Sequence, residues 1–127
     1  MAETFNFEDF MNQRIYDLAV EAGSALGGAD KTTVSHLIEV FQSEPNAANA
    51  CPLLILHIIR QSSRGELPRH GANILVRHLN SIYQNLRGDR DRMGQAISKY
   101  LTLVKWVYES RPRSSFNTFQ RFVESMR

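Results

Sequence analysis

Cys51 and His57 are the first residues to weigh as a nucleophile and a base, because an imidazole beside a thiol can generate the thiolate that attacks a carbonyl. They stand six residues apart in a stretch of helical character. That spacing puts them on opposite sides of a helix, the pattern of a small buried thiol and a core histidine. His36, His57, His70 and His78 have no i, i+4 pairing and no cysteine companions, so no metal ligation is expected. His70 and His78 flank an arginine-rich stretch and read as solvated surface residues able to donate to phosphate. Gly23, Gly27 and Gly28 match neither the Walker nor the dinucleotide-binding pattern, and no strand precedes them. Asp89 and Asp91 are an acidic pair by position only, since Arg87, Arg90 and Arg92 surround them. One cysteine allows neither an internal disulfide nor a zinc site. Catalysis requires polar groups that converge in a pocket. Nothing in these spacings predicts convergence, so neither an enzyme nor a cofactor is expected.

The chemistry the residues do suggest is recognition of phosphate. Arg60 and Arg64 are four apart and share a helix face. Arg69, Arg77, Arg87, Arg90 and Arg92 follow, with Asn73, Asn80 and Gln84 between them as neutral donors. Lys99 stands seven residues after Arg92, and Trp106 seven after Lys99, each two turns along one side. Arg111 and Arg113 extend the set. Twelve of the fifteen basic residues are arginine, whose planar fork matches phosphate oxygens. Trp106 has two readings: stacking on an unpaired base, or packing against the last helix through Phe119 or Phe122.

Charge is distributed unevenly. Met1 to Ile59 carries two basic and eight acidic residues, net −6, and Arg60 to Arg127 carries thirteen basic and five acidic, net +8. A polyanion suits the second half. The alternative is that the acidic half offsets the basic one, within one molecule or between copies.

Helices must position these groups, and apolar periodicity predicts them. Leu75, Leu79, Ile82 and Leu86 form one stripe; Met93, Ile97, Tyr100, Val104 and Val107 form another. Gly88 and Asp89 join the two as C-terminal stop and N-terminal cap, which makes them antiparallel neighbours with cationic backs. Before them, Asn6 caps a helix carrying Phe7, Met11, Ile15, Leu18, Ala22 and Leu26, stopped by Gly27 and Gly28. Thr32 or Thr33 caps a second helix carrying Val34, Leu37, Ile38 and Phe41. From Pro52, suited to a first helical position, Leu53 to Ile59 is apolar on nearly every side and is expected in the middle of a bundle. Gly65 ends that element. Ser114 or Ser115 caps a last helix through Phe116, Phe119, Val123 and Met126. The fold class is all-α, a compact bundle of about five to six short helices in a single domain over 1–127. Hydrophobic content of 43% and charged content of 22% are those of a soluble globular chain. With no apolar run of about 18 residues and no secretory pattern, a cytoplasmic location is the default expectation.

From Leu67 onward the order of elements resembles the small helical subunit of multisubunit CRISPR effector complexes. The resemblance rests on the arginine-bearing helix Ile74-Leu75-Val76-Arg77-His78-Leu79-Asn80-Ser81-Ile82-Tyr83, a charged turn, and a helix closing in Tyr100-Leu101 through Val107-Tyr108-Glu109-Ser110-Arg111. Arg77 and Arg111 are the residues that carry over one by one. The chain departs from the family in its long acidic first half and in the residue preceding Arg77. The resemblance implies a non-catalytic protein present in several copies beside other subunits of a ribonucleoprotein. There it would hold guide RNA, target strand or displaced single strand by the backbone. The nucleic-acid-binding set is then Arg60, Arg64, Arg69, Arg77, Arg87, Arg90, Arg92, Lys99, Trp106, Arg111 and Arg113. Two readings compete with it: an adaptor assembling head to tail through acidic and basic faces, and a helix-turn-helix regulator over Ile55 to Leu86, which lacks a clear recognition helix.

Overall fold

Asn6 opens the first helix as expected, its side chain accepting from the Asp9 amide at 3.1 Å, in the computed structural model that describes residues 5–126. Helix α1 covers residues 7–24 as a first turn Phe7–Asp9, a π-helical segment Phe10–Arg14 and an α-helical stretch Ile15–Ser24. Then come α2 (Lys31–Gln42), α3 (Ala47–Ser63), α4 (Arg69–Asn85), α5 (Arg90–Glu109) and α6 (Phe119–Glu124). The fold is all-α, with six helices and no strand among the described residues. Glu3 and Arg127, counted above in the two charged halves, lie outside those residues.

Local signals set most boundaries. The Asp89 side chain caps α5 by accepting from the Arg92 amide at 3.1 Å. Gly65 takes a left-handed φ of 78° after α3, and the Gly65 and Glu66 amides return to the Ser62 and Gln61 carbonyls at 3.1 and 2.9 Å. That pairing closes the helix and favours glycine at the turn. Other boundaries differ from expectation. Helix α3 begins at Ala47, ahead of Pro52, because the Asn46 side chain accepts from the Ala48 amide at 3.0 Å. Pro52 therefore lies inside the helix, where it removes one early hydrogen bond. Helix α1 stops at Ser24, short of Gly27, and α2 starts at Lys31, just before the threonines. Thr118, rather than Ser114 or Ser115, caps α6, accepting from the Arg121 amide at 3.3 Å. The preceding chain is committed elsewhere: the Phe116 amide donates to Ser24 Oγ on α1 at 2.9 Å.

The central helix is α5. It packs most extensively on α1 and also touches α2, α3 and α4. Beside the predicted stripe it buries Ala96 and Leu101, giving an apolar surface wide enough for several neighbours. Helix α3 is thus displaced from the expected centre to the periphery. Ala50, Cys51, Leu54 and Ile58 face inward, while Leu53, Leu56 and Ile59 stay 46%, 66% and 48% exposed. Hydrophobicity on every side does not supply neighbours on every side. The pairing of α4 with α5 is also looser than their short connection suggests, because each packs more extensively on α1. Two close approaches fix α1: Gly71 of α4 lies against the Ala25 carbonyl, and Gly23 lies against Val107 and the Val104 carbonyl of α5. The α6 stripe covers little, with Phe119, Val123 and Met126 exposed.

Candidate nucleic-acid interface

The turn from α3 into α4 presents Arg60, Arg64 and Arg69, all exposed and without an acidic partner among the described residues. Arg111 and Arg113 follow α5 at the same end of the bundle, since Gly71 of α4 and Val107 of α5 both meet the last turn of α1. Arg111 holds a left-handed φ of 52° between the helix end and Pro112, a conformation unusual for a side chain other than glycine. Arg87 and Arg90 are exposed at the opposite end, at the α4–α5 turn, with the Arg87 guanidinium 5.6 Å from the Tyr83 ring centre. A helix rises 1.5 Å per residue, so these two arginine groups are separated by roughly 27 Å along α4.

Three of the expected phosphate ligands are engaged within the molecule. Arg77 Nη2 lies 3.3 Å from Glu21 Oε2, with Arg77 largely exposed and Glu21 partly covered. Arg92 pairs with Asp89 at 3.5 Å and lies over the Phe7 ring. Lys99 Nζ donates to the Met11 carbonyl at 2.8 Å, within the π-helical segment, and sits over Tyr16. Tyr16 and Glu21 are five residues apart on α1, about 140° around the helix. Lys99 and Arg77 consequently reach α1 on different flanks, and a single groove through Arg77, Arg92 and Lys99 does not form. Those of the expected arginines that have no acidic partner among the described residues lie at the two ends instead.

Trp106 is 61% exposed. Its expected packing on the last helix is not seen: Phe119 stacks edge-on against Tyr16 of α1, and Phe122 against Phe116. The indole is therefore open to a flat ligand, on the same side of α5 as Lys99.

Between α1 and α4 lies an open cleft of about 840 Å³, lined among others by Arg14, Asp17, Glu21, Arg77, His78 and Asn85. His78 is a correction to the sequence reading, for it is buried rather than solvated. Its Nδ1 accepts from the enclosed Tyr100 hydroxyl at 2.8 Å, and its Nε2 donates to Glu21 Oε1 at 2.7 Å. The signal was available: position 78 lies between Leu75 and Leu79 on the buried stripe. Burial is the main influence on His78, pulling its pKa below 6.5 and outweighing the Glu21 hydrogen bond and charge, with Arg77 and Arg14 lowering it further. Burial also holds the Tyr100 hydroxyl well above its ordinary range. Both groups are neutral at pH 7, and all three are satisfied. Tyr100, His78 and Glu21 thus pin α5, α4 and α1 together.

This geometry carries a pH dependence. The unfolded chain takes up a proton near pH 6.5, before folded His78 does, so folding stability falls as pH drops below about 6.5. His57 acts in the same direction, lowered first by burial and then by His36 and Arg60. Each such histidine contributes at most about 1.4 kcal/mol per pH unit. Urea unfolding is expected to show His78→Gln costing most at pH 7.5 and progressively less towards pH 5. A cost independent of pH would remove His78 as the cause.

Cys51 is fully buried, donates to the Leu79 carbonyl, and has its thiol pushed up to about 12 by burial. The His57 ring instead packs against His36 of α2, with ring centres 5.3 Å apart. Cys51 and His57 thus face different neighbours. His70 is exposed. No group of three or more His, Cys, Asp or Glu gathers as a metal-ligand set, and no helix is long and apolar enough to cross a membrane, among the described residues. No protein-family model, curated protein or solved structure matches this chain.

Proposed function

We propose that this chain is a non-catalytic nucleic-acid-binding subunit of a cytoplasmic ribonucleoprotein, of the kind its resemblance to CRISPR small subunits implies. The observation that supports this reading is the set of exposed arginines at the two ends of the bundle that have no acidic partner among the described residues. Arg60, Arg64, Arg69, Arg111 and Arg113 occupy one end, and Arg87 and Arg90 the other. Guanidinium groups about 27 Å apart along one helix can follow a sugar-phosphate backbone across the molecule. The exposed Trp106 adds a face for an unpaired base. Guide RNA, target strand or displaced strand would be held through phosphate, without reading sequence, and copies placed in series would multiply a weak single contact.

Fluorescence anisotropy on labelled single strands, for the isolated chain and for its assembly, tests this reading. Log affinity should fall linearly with log salt between about 50 and 200 mM, with a slope of about −0.7 per phosphate contacted. No binding at the low end, or binding indifferent to salt, sinks it.

The adaptor reading draws support from the Arg77–Glu21 pair, in which a cation of the basic half meets a carboxylate of the acidic half. The pair is intramolecular, so this complementarity is partly consumed within one copy. Reversing Arg87 and Arg90 to glutamate separates the two. Loss of strand binding with unchanged sedimentation favours the first reading, and changed sedimentation alone favours the second.

A further inference from the structure

The outer face of α3 has no partner among the described residues. Asn49, Pro52, Leu53, Leu56, Ile59, Arg60 and Ser63 point away from the core, and three of them are large exposed aliphatics in consecutive turns. Helix α2 borders one flank, where His36 meets His57. Helix α4 borders the other, where Ile59, Ser62 and Ser63 share a groove with Arg69, Asn73 and Val76. The ridge is aliphatic, with Arg60 its only charge. Its three aliphatics offer no stacking surface and no attraction for phosphate, and Arg60 is the one residue it shares with the proposed strand-binding set.

We propose that this ridge is a two-fold interface at which a second copy of this chain docks with its α3 antiparallel, centred on Leu56. An interface of this symmetry must use one patch twice, so the patch has to complement itself after reversal. The sequence on this face does so. Leu53 and Ile59 lie three residues either side of Leu56, Pro52 and Arg60 four, and Asn49 and Ser63 seven. Reversal sets Leu53 beside Ile59, Leu56 beside Leu56, and polar Asn49 against polar Ser63.

Charge selects the same orientation. A parallel arrangement would stack Arg60 on Arg60. The antiparallel one separates the two by about 12 Å along the helix, beyond the screening length of about 8 Å at physiological salt. It also carries each Arg60 towards Glu39 of the other copy. Glu39 stands on α2, on the same flank as Arg60, one turn beyond His36 towards the N-terminal end of α3, with its carboxylate exposed and bonded to His36 Nδ1 at 2.8 Å.

The test uses the full-length chain without nucleic acid, by light scattering after size exclusion over a wide concentration range. A concentration-dependent dimer is expected. Leu56→Glu, on the surface and so without effect on helicity, is expected to raise the dimer dissociation constant at least ~100-fold. Glu39→Arg and Arg60→Glu should each weaken the dimer, and the double variant should recover it. Leu56→Cys at the axis should cross-link to itself on oxidation, whereas Ser63→Cys should not. A monomer at every concentration overturns the proposal, as does a dimer indifferent to Leu56→Glu or one that Ser63→Cys cross-links as readily. So does a ridge that binds only a different protein. Salt-dependent strand binding is measured separately, so failure here leaves the phosphate reading standing, and the reverse holds too.

Discussion

Reversing Arg60, Arg64 and Arg69 together to glutamate is expected to weaken binding to a short single strand by about 100-fold at 0.1 M salt. The salt slope should become shallower by about 2, since each lost phosphate contact on a single strand removes about 0.7 of a released counterion. These three residues are exposed at the turn between α3 and α4 and have no acidic partner among the described residues, so their loss breaks no ion pair there. Arg77→Ala should have a smaller effect on binding, because its guanidinium already lies 3.3 Å from Glu21. Lys99→Ala would mix loss of charge with loss of its bond to the Met11 carbonyl. Anisotropy titrations at several salt concentrations, with circular dichroism to confirm the fold, make the comparison. Should Arg77→Ala cost more than the triple variant, the strand track lies along the α1–α4 cleft and the assignment to the ends is wrong.

Gly71→Ala is expected to destabilise the fold by about 2–3 kcal/mol, at the upper end of what overpacking costs. A Cβ there would stand 2.4 Å from the Ala25 carbonyl oxygen and 2.8 Å from Leu26 Cδ2, and the first of these is backbone that cannot rotate away. Better helix propensity offsets about 1 kcal/mol at most. The thermal midpoint should fall by about 10 °C for a chain of this size. Gly94→Ala is the contrasting case. Its Cβ would meet Ala47 Cβ at an ordinary 3.5 Å, so the propensity gain of up to about 1 kcal/mol survives and the variant should be more stable. Thermal unfolding followed by circular dichroism distinguishes them. Equal midpoints for Gly71→Ala and the unchanged chain would mean that α4 does not approach α1 this closely.

Much of the helix pattern was legible because the forces that set it act within a turn or two. Asn6 and Asp89 satisfy amides three residues ahead, Gly65 supplies a left-handed turn, and the stripes from Leu75 and Met93 repeat at helical spacing. The last helix shows the limit. Its aromatic stripe was visible, but its start moved to Thr118 once Ser24, 92 residues earlier, took hold of Phe116.

The candidate site was less legible. The unpaired arginines could be named from the sequence, but not which of them would meet a carboxylate. Arg77 is withdrawn by Glu21, 56 residues away, while Arg60, Arg64 and Arg69 keep their charge free. His78 looked like a surface donor until Tyr100 and Glu21 arrived from two other helices to satisfy it inside the core. The sequence by itself determined helices, caps and total charge, because neighbours along the chain are fixed by covalent bonds. Only the tertiary structure decided which side of α3 was left bare, which helix took the centre and which cations remained available. Those outcomes depend on which surfaces meet, and a local pattern cannot specify its partner.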